Sequence, residues 1–226
     1  MGSEMCIRDS MGTGCDTIIA QFAADVLETP IDNISVYGVD TDISPYDSGS
    51  YASSTTYLTG MAAVKACEQL RERIIALAAV RMNKDASALT FDGENVIDES
   101  DGAKMSLFDI ATASMCNNEI SLEVTYSHSS PVSPPPFMAA CAEIEADPET
   151  GAIELLDYTA CVDCGTVVNT NLARVQTEGG LLQGIGMTLY EDIWYDERGK
   201  NLSNSFMQYK VPSRLDTDRI LSLIHI

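Results

Sequence analysis

The chain has 226 residues and a formal charge of −21, from 34 acidic against 13 basic side chains, and 45% of its residues are hydrophobic. That is long enough for one large domain or two small ones, and so acidic a balance argues against nucleic acid or an anionic membrane surface as partner. No apolar run reaches the roughly 18 residues of a membrane-spanning helix, and the seven scattered cysteines lack the dense pairing of a secreted disulfide scaffold, so a reduced, cytoplasmic protein is expected.

The two ends are unusual. Met5 to Ser10 can be encoded as ATG TGT ATA AGA GAC AG and Leu221 to Ile226 as CTG TCT CTT ATA CAC AT, and these strings are reverse complements. The relation resembles a transposon-end sequencing adapter. Residues 1–10 and 221–226 are therefore expected to be adapter-encoded tails that pack against nothing, and 11–220 to be a slice of a longer gene.

Within 11–220, Ile18, Ile19, Phe22, Val26 and Leu27 recur at helical spacing and predict a helix over 15–28, closed by Pro30. Ile34 to Val39 reads as a strand, and a loop rich in Asp, Ser and Gly follows from Asp40 to Ser54. A long helix is expected from Thr55 to Met82, with Val64, Cys67, Leu70, Ile74, Leu77 and Ala78 as its apolar stripe. Asp92-Gly93 between short apolar runs makes 88–97 a hairpin. Leu107 to Met115 reads as helix and Leu122 to Tyr126 as strand. The prolines of 128–136 mark a linker or a wall-forming loop between halves 11–127 and 137–220. Strands at 139–146 and 152–162 flank the turn sequence Asp147 to Gly151, Leu172 to Tyr190 reads as a third long helix, and Ile193 to Tyr195 begins another strand. Helices and strands alternate, so the class is α/β or α+β, with mixed sheets and packed helices.

Chemistry is constrained first by what is missing. His128 is the single histidine of 11–220, so a His-rich zinc site and a Ser-His-Asp triad are both difficult to build. Cys161 and Cys164 have metal-like spacing, but residues i and i+3 of a strand point to opposite faces, which favours incidental thiols. Three segments are more telling. Met11-Gly12-Thr13-Gly14 places glycines directly before a helix. Asp47 to Thr56 offers small residues and hydroxyls at a helix N-terminus, a setting suited to an anionic cofactor or simply to capping. Gln176 to Gly186 puts four glycines in a helix at a cost of about 1 kcal/mol each relative to Ala, which suggests something packed very close, and Gln176, Gly180 and Gln183 share one face.

Taken together, these segments resemble the molybdenum-binding subunit of xanthine dehydrogenase and the molybdenum hydroxylase family. Its Met-Gly-Gln-Gly segment corresponds to Met11 to Gly14, its Gly-Ala-Tyr-Ala-Ser loop to Ser44 to Ser53, and its Val-Asp-Cys-Gly-Thr strand with Gln-x-Glu-Gly-Gly helix to Val162 to Thr166 and Gln176 to Gly180. Order and spacing hold across nearly all of 11–220, with further likeness at Ser133 to Phe137 and Asn204 to Pro212. The resemblance implies a partial molybdopterin-binding domain holding a molybdenum pyranopterin, as molybdopterin or its dinucleotide form. Gly12, Thr13, Gly14, Ala52, Ser53, Ser54, Thr55 and Gln176 would contact it, with the Ala52 backbone nearest the metal; Thr13 stands where the family usually has Gln.

The implied parent activity is hydroxylation of a purine carbon with oxygen from water, in purine catabolism. Aldehydes, nicotinate or an aromatic thioester are alternative substrates, and a non-enzymatic cofactor-binding or assembly module is the alternative of a different class. Iron–sulfur and FAD modules would be partners carrying electrons away, with no nucleic acid and no membrane. No catalytic residue is assigned: the family's base Glu lies in a Gly-Glu segment nearer the C-terminus, and Gly93-Glu94 falls in the expected hairpin turn. The fragment alone is expected to be inactive.

Overall fold

A computed structural model describes residues 12–38, 42, 49–50, 54–116, 120–216 and 220–224. The chain divides into two compact units, Met1–Ser133 and Pro134–Ile226. Among the described residues no helix is long and apolar enough to cross a membrane.

The first unit is built on two helices, α1 (Cys15–Leu27) and α2 (Gly60–Met82), the latter entered through a π-helical turn, Thr55–Thr59. Cys15, Ile19 and Ala23 of α1 meet Ala63, Ala66 and Cys67 of α2 in one buried cluster. Small side chains at the contact let the backbones approach closely. Both helices end on a left-handed residue, Glu28 and Asn83, whose backbone N–H groups turn back to helix carbonyls.

The opposite flank of α2 covers a three-stranded antiparallel sheet, β1 (Leu89–Phe91), β2 (Asn95–Asp98) and β3 (Lys104–Ser106), in order β1-β2-β3. Alternation buries Leu89, Phe91 and Val96 against Leu70, Ile74 and Leu77, and Ile110 of α3 (Leu107–Cys116) completes this core. Arg71 ties the pieces together. Its guanidinium donates to the Val26 carbonyl at 3.2 Å, the Glu28 carboxylate at 2.6 Å and the Phe91 carbonyl at 3.0 Å. The β1–β2 turn is seated against the same helix end, because Gly93, at φ +91°, lies where an added Cβ would come within 2.0 Å of the Glu28 carbonyl oxygen.

The second unit pairs β4 (Phe137–Ala146) with β5 (Ile153–Asp163) in antiparallel register, with a shift between Glu143 and Ile144. Asp147 shapes the connecting turn by accepting the Glu149 N–H at 2.8 Å. Helix α4 (Thr170–Leu189) is capped by Asn169, whose side-chain oxygen accepts the Leu172 N–H at 3.0 Å. Strand β6 (Ile220–Ile224) then runs parallel to β5, from Tyr158↔Ile220 to Val162↔Ile224.

Strand β6 corrects the expectation that 221–226 pack against nothing. Residues 221–224 complete a backbone ladder, and Ser222 Oγ donates to Glu178 at 2.9 Å. Backbone pairing asks only for extended geometry and alternation, which Ile-Leu-Ser-Leu-Ile supplies whatever its origin. Of residues 1–10, all lie outside the described residues.

Two further expectations are corrected. Residues 34–38 carry no strand, and neither do 122–126. Ile34, Val36, Leu122 and Val124 still pack on the unit's cores, but no neighbouring strand offers a ladder; instead, the Ser121 and Glu123 carbonyls accept from Arg73. The 193–195 strand is reduced to an isolated bridge, Tyr195↔Asn201, and β3 is an element that alternation over three residues did not reveal.

Gly93→Ala should cost at least about 2 kcal/mol, since a left-handed backbone and a carbonyl contact both oppose a methyl group; urea denaturation measures it, and an unchanged midpoint would refute the seating. Buried Asp98, 1% exposed, accepts from Lys84 at 2.8 Å and from Ser100 at 2.5 Å. These donors hold its carboxyl down at about 2, against an ordinary 3.8, with the Lys84 bond the largest cause. The lowered carboxyl stabilises the fold above its unfolded value of 3.8 and loses that contribution as pH falls toward 2. Asp98→Asn should therefore flatten the dependence of stability on pH between about 4 and 2, as followed by thermal melts across that window.

Candidate functional site

The packing of α1 on α2 fixes where their ends lie. A Cβ at Gly60 would meet the Phe22 ring at 2.5 Å, and Arg71, eleven residues further along α2, reaches Glu28 just past the end of α1. Both helices thus run in the same sense, and their N-termini share one end of the pair. Each N-terminus carries a partial positive charge of about half an elementary unit. Side by side, the two heads converge at one end of the helix pair, with the Asp16 carboxylate in the first turn of α1.

Three expected cofactor residues occupy the head of α1. Gly12 is exposed, Gly14 is the left-handed N-cap (φ 72°), and Thr13 between them is half-buried. The Thr13 hydroxyl is fully shielded and has no hydrogen-bond partner among the described residues. Leaving such a group unsatisfied costs about 1–3 kcal/mol. At the head of α2, Ser54 is buried at 5% exposure and Thr55 Oγ1 donates to Ser50 Oγ at 3.2 Å. Ala52 and Ser53 lie outside the described residues, as do most of the preceding loop positions. The structure thus brings Gly12, Thr13, Gly14, Ser54 and Thr55 to one end of one helix pair.

Thr59 was not anticipated. It closes the π-helical turn, is 3% exposed, and its hydroxyl also lacks a partner among the described residues. Its burial depends on tertiary packing around the turn, so a sequence signal could not have singled it out.

Gln176 belongs to the second unit, on an exposed face of α4 with Gly180 and Gln183. The expectation that the helix glycines have close neighbours holds at one position. A Cβ at Gly186 would meet Glu191 Oε1 at 2.5 Å and the Pro212 ring at 2.9 Å, whereas Gly179, Gly180 and Gly184 would meet nothing within 4 Å. Glu191 is held there by the Tyr209 hydroxyl. Glu178, on a neighbouring turn of α4, is occupied by Arg174 at 2.7 Å and by Ser222.

The described cysteines are dispersed rather than clustered. Cys161 lies on β5 and Cys164 beyond its end, and no group of three metal-ligating side chains occurs among the described residues. Cys67, fully buried against α1, has its thiol pushed up to about 11 by burial, which keeps it protonated and unreactive. Glu94 sits in the β1–β2 turn, within the expected hairpin.

Residues 7–218 match the family described as the molybdopterin cofactor-binding domain, a match that begins inside the segment assigned to an adapter. The chain is 35% identical over 210 residues to Probable hypoxanthine oxidase of Escherichia coli, covering 92% of this chain and 22% of that protein. It is 32% identical over 210 residues to the 6-hydroxypseudooxynicotine dehydrogenase complex subunit gamma of Paenarthrobacter nicotinovorans, covering 90% and 26%. Among solved structures, CO dehydrogenase from Oligotropha carboxidovorans superposes with a TM-score of 0.78 at 25% identity, over 97% of this chain and 28% of that one. The chain thus spans about a quarter of the length of these relatives.

An apolar isostere tests the buried hydroxyl of the π turn. Thr59→Val removes an unpaired polar group and should leave stability unchanged or raise it by about 1 kcal/mol. Chemical denaturation of both proteins decides the matter; a loss of more than about 1 kcal/mol would mean that the hydroxyl is satisfied in solution.

Proposed function

The chain belongs to the molybdopterin cofactor-binding domain family, and from that premise we propose that it builds part of the pyranopterin site of a molybdenum hydroxylase acting on a purine carbon. The observation that carries this reading is the shared end of α1 and α2, where two helix heads converge beside the unpartnered Thr13 hydroxyl. A pyranopterin presents a phosphate and a polar heterocycle. Helix N-termini favour the former, and a shielded hydroxyl without a partner among the described residues suits the latter.

In this reading Gly12, Thr13, Gly14, Ala52, Ser53, Ser54, Thr55 and Gln176 contact the cofactor, with the Ala52 backbone nearest the metal. Glycines at 12 and 14 leave room for close approach, and Thr13 donates where a longer amide would reach further. The open Gly179 and Gly180 leave the Gln176 amide unobstructed. When bound, the group supplies oxygen-atom and two-electron chemistry, while the protein contributes orientation and electrostatics. The two heads stabilise negative charge, and the buried Cys67 thiol behind them stays neutral and takes no part.

The chain alone is proposed to be inactive, because the resemblance assigns none of its residues the role of the family's base Glu, and Gly93-Glu94 belongs to the β1–β2 turn. Iron–sulfur and FAD modules are the proposed electron-accepting partners, in a cytoplasmic enzyme. Similarity to Probable hypoxanthine oxidase supports a purine substrate. The nearly equal similarity to the 6-hydroxypseudooxynicotine dehydrogenase subunit supports a second reading, a different N-heterocycle.

A chimaera tests both. With this chain replacing the matching segment of the Escherichia coli relative, the assembled enzyme should retain molybdenum and turn over hypoxanthine. Gln176→Ala should lower molybdenum content per folded protein more than Gln183→Ala does, by the loss of one hydrogen bond worth about 0.5–1.5 kcal/mol, or about 1–3 if a buried partner is stranded. Equal metal content in both variants would overturn the assignment of Gln176. Turnover of other N-heterocycles without purines would favour the second reading.

A further inference from the structure

The first unit contains a cavity of about 400 Å³ away from the helix heads. It lies between the end of α1, α2, the β1–β2 turn and the start of α3. Leu70, Ile74 and Phe91 form its apolar floor, and Asn33, Glu94 and Phe108 stand at its mouth. Ile74 and Phe91 are buried at 1% and 2% exposure, whereas Phe108 is 79% exposed. An aromatic ring open to solvent beside an apolar hollow is a wall awaiting an occupant.

The walls are fixed rather than collapsible. Arg71 clamps the α1 end to β1, and the contact of Gly93 with the Glu28 carbonyl seats the turn that carries Glu94. The volume is near the lower end of the range of about 300–1,000 Å³ for small-molecule sites, enough for one or two rings. Its charge is one-sided. Among the described residues that line it, Glu94 carries the only charge, and the remaining polar groups are amides and hydroxyls. An anion would face this carboxylate without a cation to compensate it, in a chain of net charge −21. A cation finds a partner at the mouth, while its apolar body covers the floor.

We propose that this cavity binds a small aromatic amine in its protonated form, the ring on the Ile74–Phe91 floor and the ammonium against the Glu94 carboxylate. The site is separate from the cofactor reading and needs no cofactor, so the two stand or fall independently.

The test is a matched series titrated into this chain by calorimetry: 1-naphthylmethylamine, 1-naphthalenemethanol and 1-naphthoic acid. The amine should bind about tenfold more tightly than the alcohol, the low end of what a charge-assisted hydrogen bond contributes, and the acid should show no binding. Glu94→Gln should bring the amine to the affinity of the alcohol and leave the alcohol unchanged. Asn33→Trp, which fills the mouth from an exposed turn, should weaken amine and alcohol together. Phe108→Ala, at an exposed position where folding is not at stake, should do the same to a smaller degree. The proposal is overturned if no member binds at millimolar concentration, or if the acid binds as well as the amine. It also fails if Glu94→Gln leaves the amine unaffected, or if binding persists unchanged through both mouth variants.

Discussion

The close contact of α1 with α2 is the constraint on which the first unit depends. Ala63, Ala66, Cys67 and Gly60 present almost no side-chain bulk, so Cys15, Ile19, Ala23 and the Phe22 ring can settle onto the backbone of α2. Parallel alignment of two helices is electrostatically unfavourable at their ends, because like partial charges meet. Burial of the apolar seam offsets that cost, and Arg71 relieves it at the other end by accepting none of the strain itself: its cation lies against the carbonyl-rich terminus of α1. What remains is two helix heads at one end of the pair, with Asp16 in the first turn of α1.

Much of this was legible in the chain. The stripe from Leu70 through Ile74 and Leu77 to Ala78 defines α2 because a buried helix face must repeat near every 3.6 residues, and Asp92-Gly93 defines its turn because few other pairs adopt the conformation. The extended segments at 34–38 and 122–126 were less so. Their residues favour strands, yet a strand exists only where a partner edge is available, and partner edges are properties of the whole fold. The same logic explains β6, whose alternating residues found the free edge of β5. Motif order disclosed the family and the helix heads. It could not disclose the burial of Thr59, nor the cavity, whose walls come from several separate elements.

Glycine serves α4 in two unlike ways. At Gly186 the missing side chain admits Glu191 and Pro212, so the glycine is consumed by the protein's own packing. At Gly179, Gly180 and Gly184 nothing fills the space, and the helix carries their unfavourable propensity without a return inside this chain. A helix that tolerates such residues on one face and a tight joint on another has its outward surface shaped by something other than its own stability. Glu178 shows the complementary case, a motif residue whose carboxylate is engaged in bracing α4 to β6 through Ser222.

Cys67 gives the helix pair a built-in clock. Its thiol lies at the centre of the α1–α2 seam, fully shielded and held protonated, so a thiol reagent in solution meets it only when the helices part. Cys15, buried in the same cluster, is protected by the same seam, so the slow labelling of these two thiols together counts its openings. Exposed thiols such as Cys141 and Cys161 react at once and set the zero of the same measurement. With no engineered label, the molecule's own thiols record how often the helix pair opens.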